Sequence, residues 1–177
     1  VPLFRAARDA GPVANLVKTA GQIVVVWTFA LVALPTFVVW IERRAGLWRW
    51  RWSDRLVVGV AILIAASAVG LASAWVMATL GRGTPVPFDA ARELVIAGPY
   101  RVIRNPMATS AVVQIIGVAV IRGSPLTLAL AVVSGVGWHL AMRPPEERFL
   151  AERFGPAYEV YRRNVRCWLP RWPPYSG

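Results

Sequence analysis

The sequence predicts an all-α, polytopic membrane protein: a helical bundle with about four transmembrane helices, the last two forming a hairpin, followed by short C-terminal interfacial helices. Composition is the first sign, since the 177 residues are 56% hydrophobic and include nine Trp. Distribution is the second: residues 19–41, 56–81, 105–121 and 123–142, runs of 23, 26, 17 and 20, hold no Asp, Glu, Lys or Arg. Crossing a bilayer takes about 20 mostly apolar residues, with a range of roughly 17 to 25, so the first, second and fourth runs suffice and the third is marginal. Four such runs leave too little polar surface for a soluble helical domain. The length suits a single domain, residues 1–177.

Taken in order, residues 1–18 mix polar and apolar side chains, and the first apolar run reads as a span rather than a secretory signal peptide. After it comes "ERRAGLWRWRWSDR", residues 42–55. Its alternation of Trp48, Trp50 and Trp52 with Arg49 and Arg51 suits a segment in the headgroup region, rings towards hydrocarbon and guanidiniums towards phosphate. That role is structural. The third and fourth runs are separated only by "RGSP", residues 122–125, whose Gly and Pro mark a tight turn and hence a hairpin. Its two open ends, near Asn105 and Met142, then share one membrane face.

Charge sets the orientation. The face that carries both hairpin ends receives 14 Lys and Arg, counting Arg5, Arg8 and Lys18, and the opposite face six. The positive-inside rule places the richer face in the cytoplasm, as in a bacterial inner membrane. A net charge of +11 would suggest nucleic acid on a soluble protein, but here the arginines flank apolar runs. Cys167 is the only cysteine, so no intrachain disulfide forms and no Cys/His pattern makes a zinc site. Nucleic-acid, redox and structural-metal functions are set aside.

Two polar knots interrupt the apolar pattern on that face. The first is "ARELVIAGPYRVIRNP", residues 91–106, where Gly98 and Pro99 favour a turn and Asn105 caps a helix opening at Pro106. Helix capping leaves Tyr100 and Arg104 unexplained at the water boundary. The second follows His139, the only histidine, which by itself is more often a packing residue than a ligand. Pro144 and Pro145 are expected to end the span, with Glu146 and Glu147 at the positive end of a new helix. Phe149, Leu150 and Phe154 give that helix an apolar stripe, Gly155-Pro156 ends it, and "AYEVYRRNV" sets Tyr158 and Tyr161 on one face of another. An interfacial anchor accounts for each piece separately. Their convergence on one hairpin mouth points to a functional site.

Together, "GPYRVIRNPM", an apolar hairpin, His139 and "EERFLAERFGPAYEVYRRNVRCWLPR" resemble the isoprenylcysteine carboxyl methyltransferase family, within the wider group of small membrane methyltransferases that includes phospholipid N-methyltransferases. The resemblance covers residues 91–171, a methyltransferase-like core, with the N-terminal spans and the interfacial loop in residues 1–90. It implies S-adenosylmethionine as methyl donor and a lipophilic acceptor arriving from the bilayer, with membrane lipids as surroundings. By the same resemblance, Tyr100, Asn105, His139, Glu146, Tyr158 and Tyr161 belong to the cofactor pocket. Arg162 and Arg166 would meet the cofactor carboxylate, and Arg104 and Glu147 would orient the acceptor. A carboxylate, amine or thiol could each displace the methyl group. The family pattern has an aromatic, a bulky aliphatic and a glycine where this chain has Ala108, Thr109 and Ser110, which bears on the acceptor more than on the cofactor. Two other readings stand beside it: a membrane sterol-reductase-like enzyme using NADPH, and a non-enzymatic basic scaffold indifferent to charge-conserving changes.

Overall fold

The computed structural model describes residues 11–84 and 90–176; Arg5 and Arg8, counted above, lie outside the described residues. Helix α1 (Pro12–Trp27) runs through a π-helical turn, Thr28–Ala33, into α2 (Leu34–Arg44). Helix α3 spans Arg55–Thr79, α4 Pro106–Arg122 and α5 Pro125–Gly137, and a second π-helical turn, Trp138–Met142, leads into α6 (Arg143–Asn164). No strand is present among the described residues. Three helical stretches, Val13–Arg44, Arg55–Thr79 and Pro125–Asn164, are long and apolar enough to cross a membrane. With its 17 residues, α4 is about 25 Å long, short of the roughly 30 Å hydrocarbon core. The chain is an integral membrane helical bundle.

One expectation is corrected. Pro144 and Pro145 do not end the fourth span, because the helix continues past them as far as the break at Gly155. A proline within a regular helix removes a donor and clashes with the preceding turn. Here the π-helical turn ends just ahead of the pair, with the Arg143 N–H reaching back to the Trp138 carbonyl, so both prolines fall where the hydrogen-bond register changes. Pro35 follows the first π-helical turn in the same way. Gly155-Pro156 does break the rod, since Gly155 takes φ 52° and ψ −132°, and the two anticipated C-terminal helices are its halves.

Helices α3 and α4 are the centre of the bundle. Gly59, Ala66, Gly70, Ser73, Ala74 and Ala78 are buried along α3, and small residues of this kind let membrane helices approach closely. The approach is tightest where Gly59 faces Gly117: a Cβ on Gly59 would stand 2.9 Å from the Gly117 oxygen and 2.8 Å from the Ile121 nitrogen. Deeper in, the buried Gln114 amide donates to Ser67 Oγ at 3.0 Å.

The Arg/Trp loop serves the opposite end of the hairpin. Trp48 and Trp52 are exposed as expected for an interfacial segment, but two guanidiniums turn inward rather than towards lipid phosphate. Arg55 donates to the Ile121 carbonyl at 2.8 Å and Arg49 to that of Arg122, which closes the C-terminal end of α4. Ser124 caps α5, and the buried Glu42 accepts from the Leu126 N–H at 2.8 Å, so a carboxylate from α2 meets the positive end of α5. Gly123 sits at φ +62°, with the Trp50 carbonyl where a Cβ would be. Gly123→Ala is therefore expected to cost at least about 2 kcal/mol, from left-handed backbone strain and the collision together. Unfolding in mixed micelles measures this; a midpoint unchanged from wild type would show that the turn relaxes freely.

Candidate active site

At the other end of the hairpin, four segments meet. A loop from residue 90 onward is held by Arg92 and Glu93 N–H groups on the Gly81 carbonyl, at 2.8 and 3.3 Å. It enters a 3-10 turn, Gly98–Arg101, in which Gly98 supplies a positive φ of 53° and Pro99 a fixed one. This turn buries Tyr100, and burial pushes its phenol well above the usual tyrosine range, with Tyr161 and Glu146 adding to the shift. Tyr100 therefore stays protonated. Asn105 caps α4 as expected, accepting from the Ala108 N–H at 3.0 Å, and its amide donates to Glu146 Oε2 at 3.3 Å.

The segment after α6 folds back along this loop. Arg104 N–H donates to the Arg166 carbonyl at 2.9 Å, Asn105 N–H to Cys167 at 3.4 Å, Arg171 N–H to Val102 at 2.9 Å and Tyr175 N–H to Arg101 at 2.9 Å. Inside the fold-back, Tyr158, Tyr161 and the fully buried Val165 form a core, with Leu150 and Phe154 packed against it. The Tyr161 hydroxyl donates to the Tyr100 carbonyl at 2.7 Å. Burial also raises the Cys167 thiol, while Arg104 and Arg143 pull the other way. The net shift favours a thiol over a thiolate nucleophile.

Arg104 is the buckle between the two segments. Nη1 donates to the Arg162 and Val165 carbonyls at 2.8 and 3.2 Å, and Nη2 to Glu147 Oε1 at 2.6 Å. The same Glu147 oxygen accepts from Arg143 Nε at 2.9 Å, and the other lies 3.7 Å from Arg162. One carboxylate thus serves three guanidiniums. His139 accepts from the Trp168 indole at 2.9 Å, with the Arg143 guanidinium 3.1 to 3.2 Å from its ring nitrogens.

These walls enclose a cavity of about 460 Å³, within the roughly 300–1,000 Å³ of small-molecule sites. Tyr100, Arg104, Asn105, Glu146, Tyr158 and Tyr161 line it, while His139, Glu147 and Arg162 do not and stand in the network behind it, and the Arg166 side chain lines a different recess. The lining also includes Val26 from α1, Met77 from α3, and Thr84 and Glu93 from the loops, which the sequence did not single out. Only Thr84 had a visible counterpart: Asn15, Thr19 and Gln22 recur at helical spacing across the start of the first apolar run, and Gln22 donates to Thr84 at 3.3 Å. The cavity is polar around Glu93, Arg104, Asn105 and Glu146. Much of the remaining lining is apolar and comes from the helices, among it Val26, Ala111 and Trp138, of which Val26 and Ala111 are exposed. Tyr158 is 1% exposed and its hydroxyl has no hydrogen-bond partner among the described residues.

Comparison with known proteins adds a family. The family model for phospholipid methyltransferase matches residues 54–157, more than half of the 177 residues. A relative, the cobalt-zinc-cadmium resistance protein CzcN of Cupriavidus metallidurans (strain CH34), is 29% identical over 104 residues, 57% of this chain. The match covers 48% of that protein, so the chain spans about half the length of this relative. The family match begins at the foot of α3, well before residue 91, and so includes the helix that packs on α4.

Proposed function

Because this chain belongs to the phospholipid methyltransferase family and is an integral membrane protein, we propose that it is a methyltransferase that takes its methyl group from S-adenosylmethionine at the cytoplasmic membrane boundary and passes it to a lipophilic acceptor. The partnerless Tyr158 hydroxyl carries the reading. A buried hydroxyl without a partner costs about 1–3 kcal/mol, a cost that a polar ligand in the cavity removes. Glu146 and Asn105 provide a carboxylate and an amide for hydroxyls or an ammonium, and Tyr100 and Tyr161 an aromatic wall. When bound, the donor supplies an electrophilic methyl on a sulfonium for displacement by a carboxylate, amine or thiol. Phe149, Leu150 and Phe154 exclude water from that region, which strengthens its electrostatics. The apolar end of the cavity admits an acceptor chain from the bilayer. Arg104 reaches the cavity wall and orients the acceptor, and Glu147, behind it, acts as a positioning residue. Arg162 and His139 support the same network through Glu147 and Arg143. The richer basic face, 14 Lys and Arg against six by sequence, supports a site turned towards the cytoplasm.

Calorimetric titration of the detergent-purified protein with S-adenosylhomocysteine and, separately, NADPH tests the proposal. Saturable binding of the first, weakened about tenfold or more by Glu146→Ala through loss of a carboxyl hydrogen-bond partner, is the expected result. Binding of NADPH alone would replace it with a reductase, and no binding of either ligand to folded protein would sink it.

A further inference from the structure

A second recess lies outside the cavity, and the two linings share no residue. It measures about 400 Å³ and is lined by Arg163, Asn164, Arg166, Pro170, Arg171 and Trp172. Three of these six side chains are guanidiniums and none is acidic. Arg171 Nη1 donates to the Asn164 carbonyl at 3.2 Å, and its guanidinium stacks 5.6 Å from the Tyr175 ring centre, which fixes one wall. None of the ion pairs among the described residues involves Arg163, Arg166 or Arg171; the nearby Glu159 is engaged by Arg162. Like charges so gathered repel one another unless an anion sits among them.

Position narrows the anion. The segment that carries the recess is laid along the loop leading into α4, so it stands where α4 enters the membrane. Beside the guanidiniums, Trp172 is 87% exposed and Leu169 59%. A free phosphate would satisfy the charges and leave both apolar groups in water. A lipid covers all of them, with its phosphate among the arginines and its glycerol and upper chains against Trp172 and Leu169.

We propose that this recess binds the headgroup phosphate of an anionic phospholipid, as a site separate from the methyl-transfer cavity and independent of the reading given for that cavity. The lipid would fasten the C-terminal segment whose carbonyls hold the Arg104 and Asn105 backbones.

Native mass spectrometry of the full chain, titrated in detergent with phosphatidylglycerol and with phosphatidylcholine, tests it. The double variant Arg163→Gln/Arg166→Gln alters two exposed side chains; Arg43→Gln/Arg44→Gln removes the same charge from the opposite end of the bundle. The wild type is expected to prefer phosphatidylglycerol, with the preference falling roughly tenfold in the first variant and holding in the second. Trp172→Ala, which removes only an exposed ring, should lower retention of the lipid without changing competition by inorganic phosphate. Equal losses in the two arginine variants, no loss in the first, or binding of inorganic phosphate as tight as that of the lipid would each overturn the proposal.

Discussion

Glu147→Gln is expected to reduce methyl transfer by at least about 100-fold, the scale on which small misplacements in an active site act, and to lower stability by about 3 kcal/mol, the scale for breaking a buried ion pair. Both effects come from one carboxylate. The Arg104 and Glu147 side chains are 10% and 14% exposed, and Glu147 also engages Arg143 at 2.9 Å and Arg162 at 3.7 Å. Without its charge, three guanidiniums face each other at the boundary of a low-dielectric region, where repulsion is poorly screened. Arg104 would keep its carbonyl partners on Arg162 and Val165 and lose the contact that aims its second nitrogen. Glu147→Asp should behave similarly, because a carboxylate one methylene shorter cannot hold both the 2.6 Å and the 2.9 Å contacts. A basic scaffold would tolerate that change. The double variant Arg104→Gln/Glu147→Gln should recover part of the stability, since only the more exposed Arg143 and Arg162 then lack the carboxylate, and none of the activity. Thermal unfolding and a methyl-transfer assay on reconstituted protein separate the two effects, and activity within twofold of wild type in Glu147→Gln would remove the cluster from the mechanism.

The parts of this protein that were legible in the sequence are those fixed locally. Asn105 before Pro106 and "RGSP" between two apolar runs each define their structure within a few residues, and both are as expected. The convergence of Tyr100, Arg104 and Glu146 on one mouth also followed, since a hairpin brings its two ends together. What escaped depends on distant partners or on backbone register. Pro144 and Pro145 signal a helix end unless a π-helical turn precedes them, and "WHLAM" gives no sign of one. Arg104 lines the cavity as the sequence suggested, but its hydrogen bonds to Glu147 and to the carbonyls of residues 162 and 165 depend on the packing of α6 and of the residue that follows it, which no local pattern announces. Val26 and Met77 reach the cavity through packing of α1 and α3, and an apolar residue in an apolar run carries no mark of which neighbour it will meet.

Tyr158→Phe should move stability and ligand affinity in opposite directions. The ring fills the core against Tyr161 and Val165 either way, so the substitution opens no cavity. It deletes a buried hydroxyl that no described residue pairs with, and removing such a group raises stability by about 1 kcal/mol. In the bound protein the same hydroxyl is proposed to meet a polar group of the donor, so its loss should weaken S-adenosylhomocysteine binding by about tenfold, the worth of one hydrogen bond near 1.4 kcal/mol. A residue whose role is packing alone would leave affinity unchanged, and one whose hydroxyl had a structural partner would lose stability and affinity together. The unfolding midpoint without ligand and the dissociation constant, measured on one preparation, therefore separate three roles. A midpoint that rises while binding weakens is the signature of a hydroxyl kept, at a cost to the empty protein, for what the cavity holds.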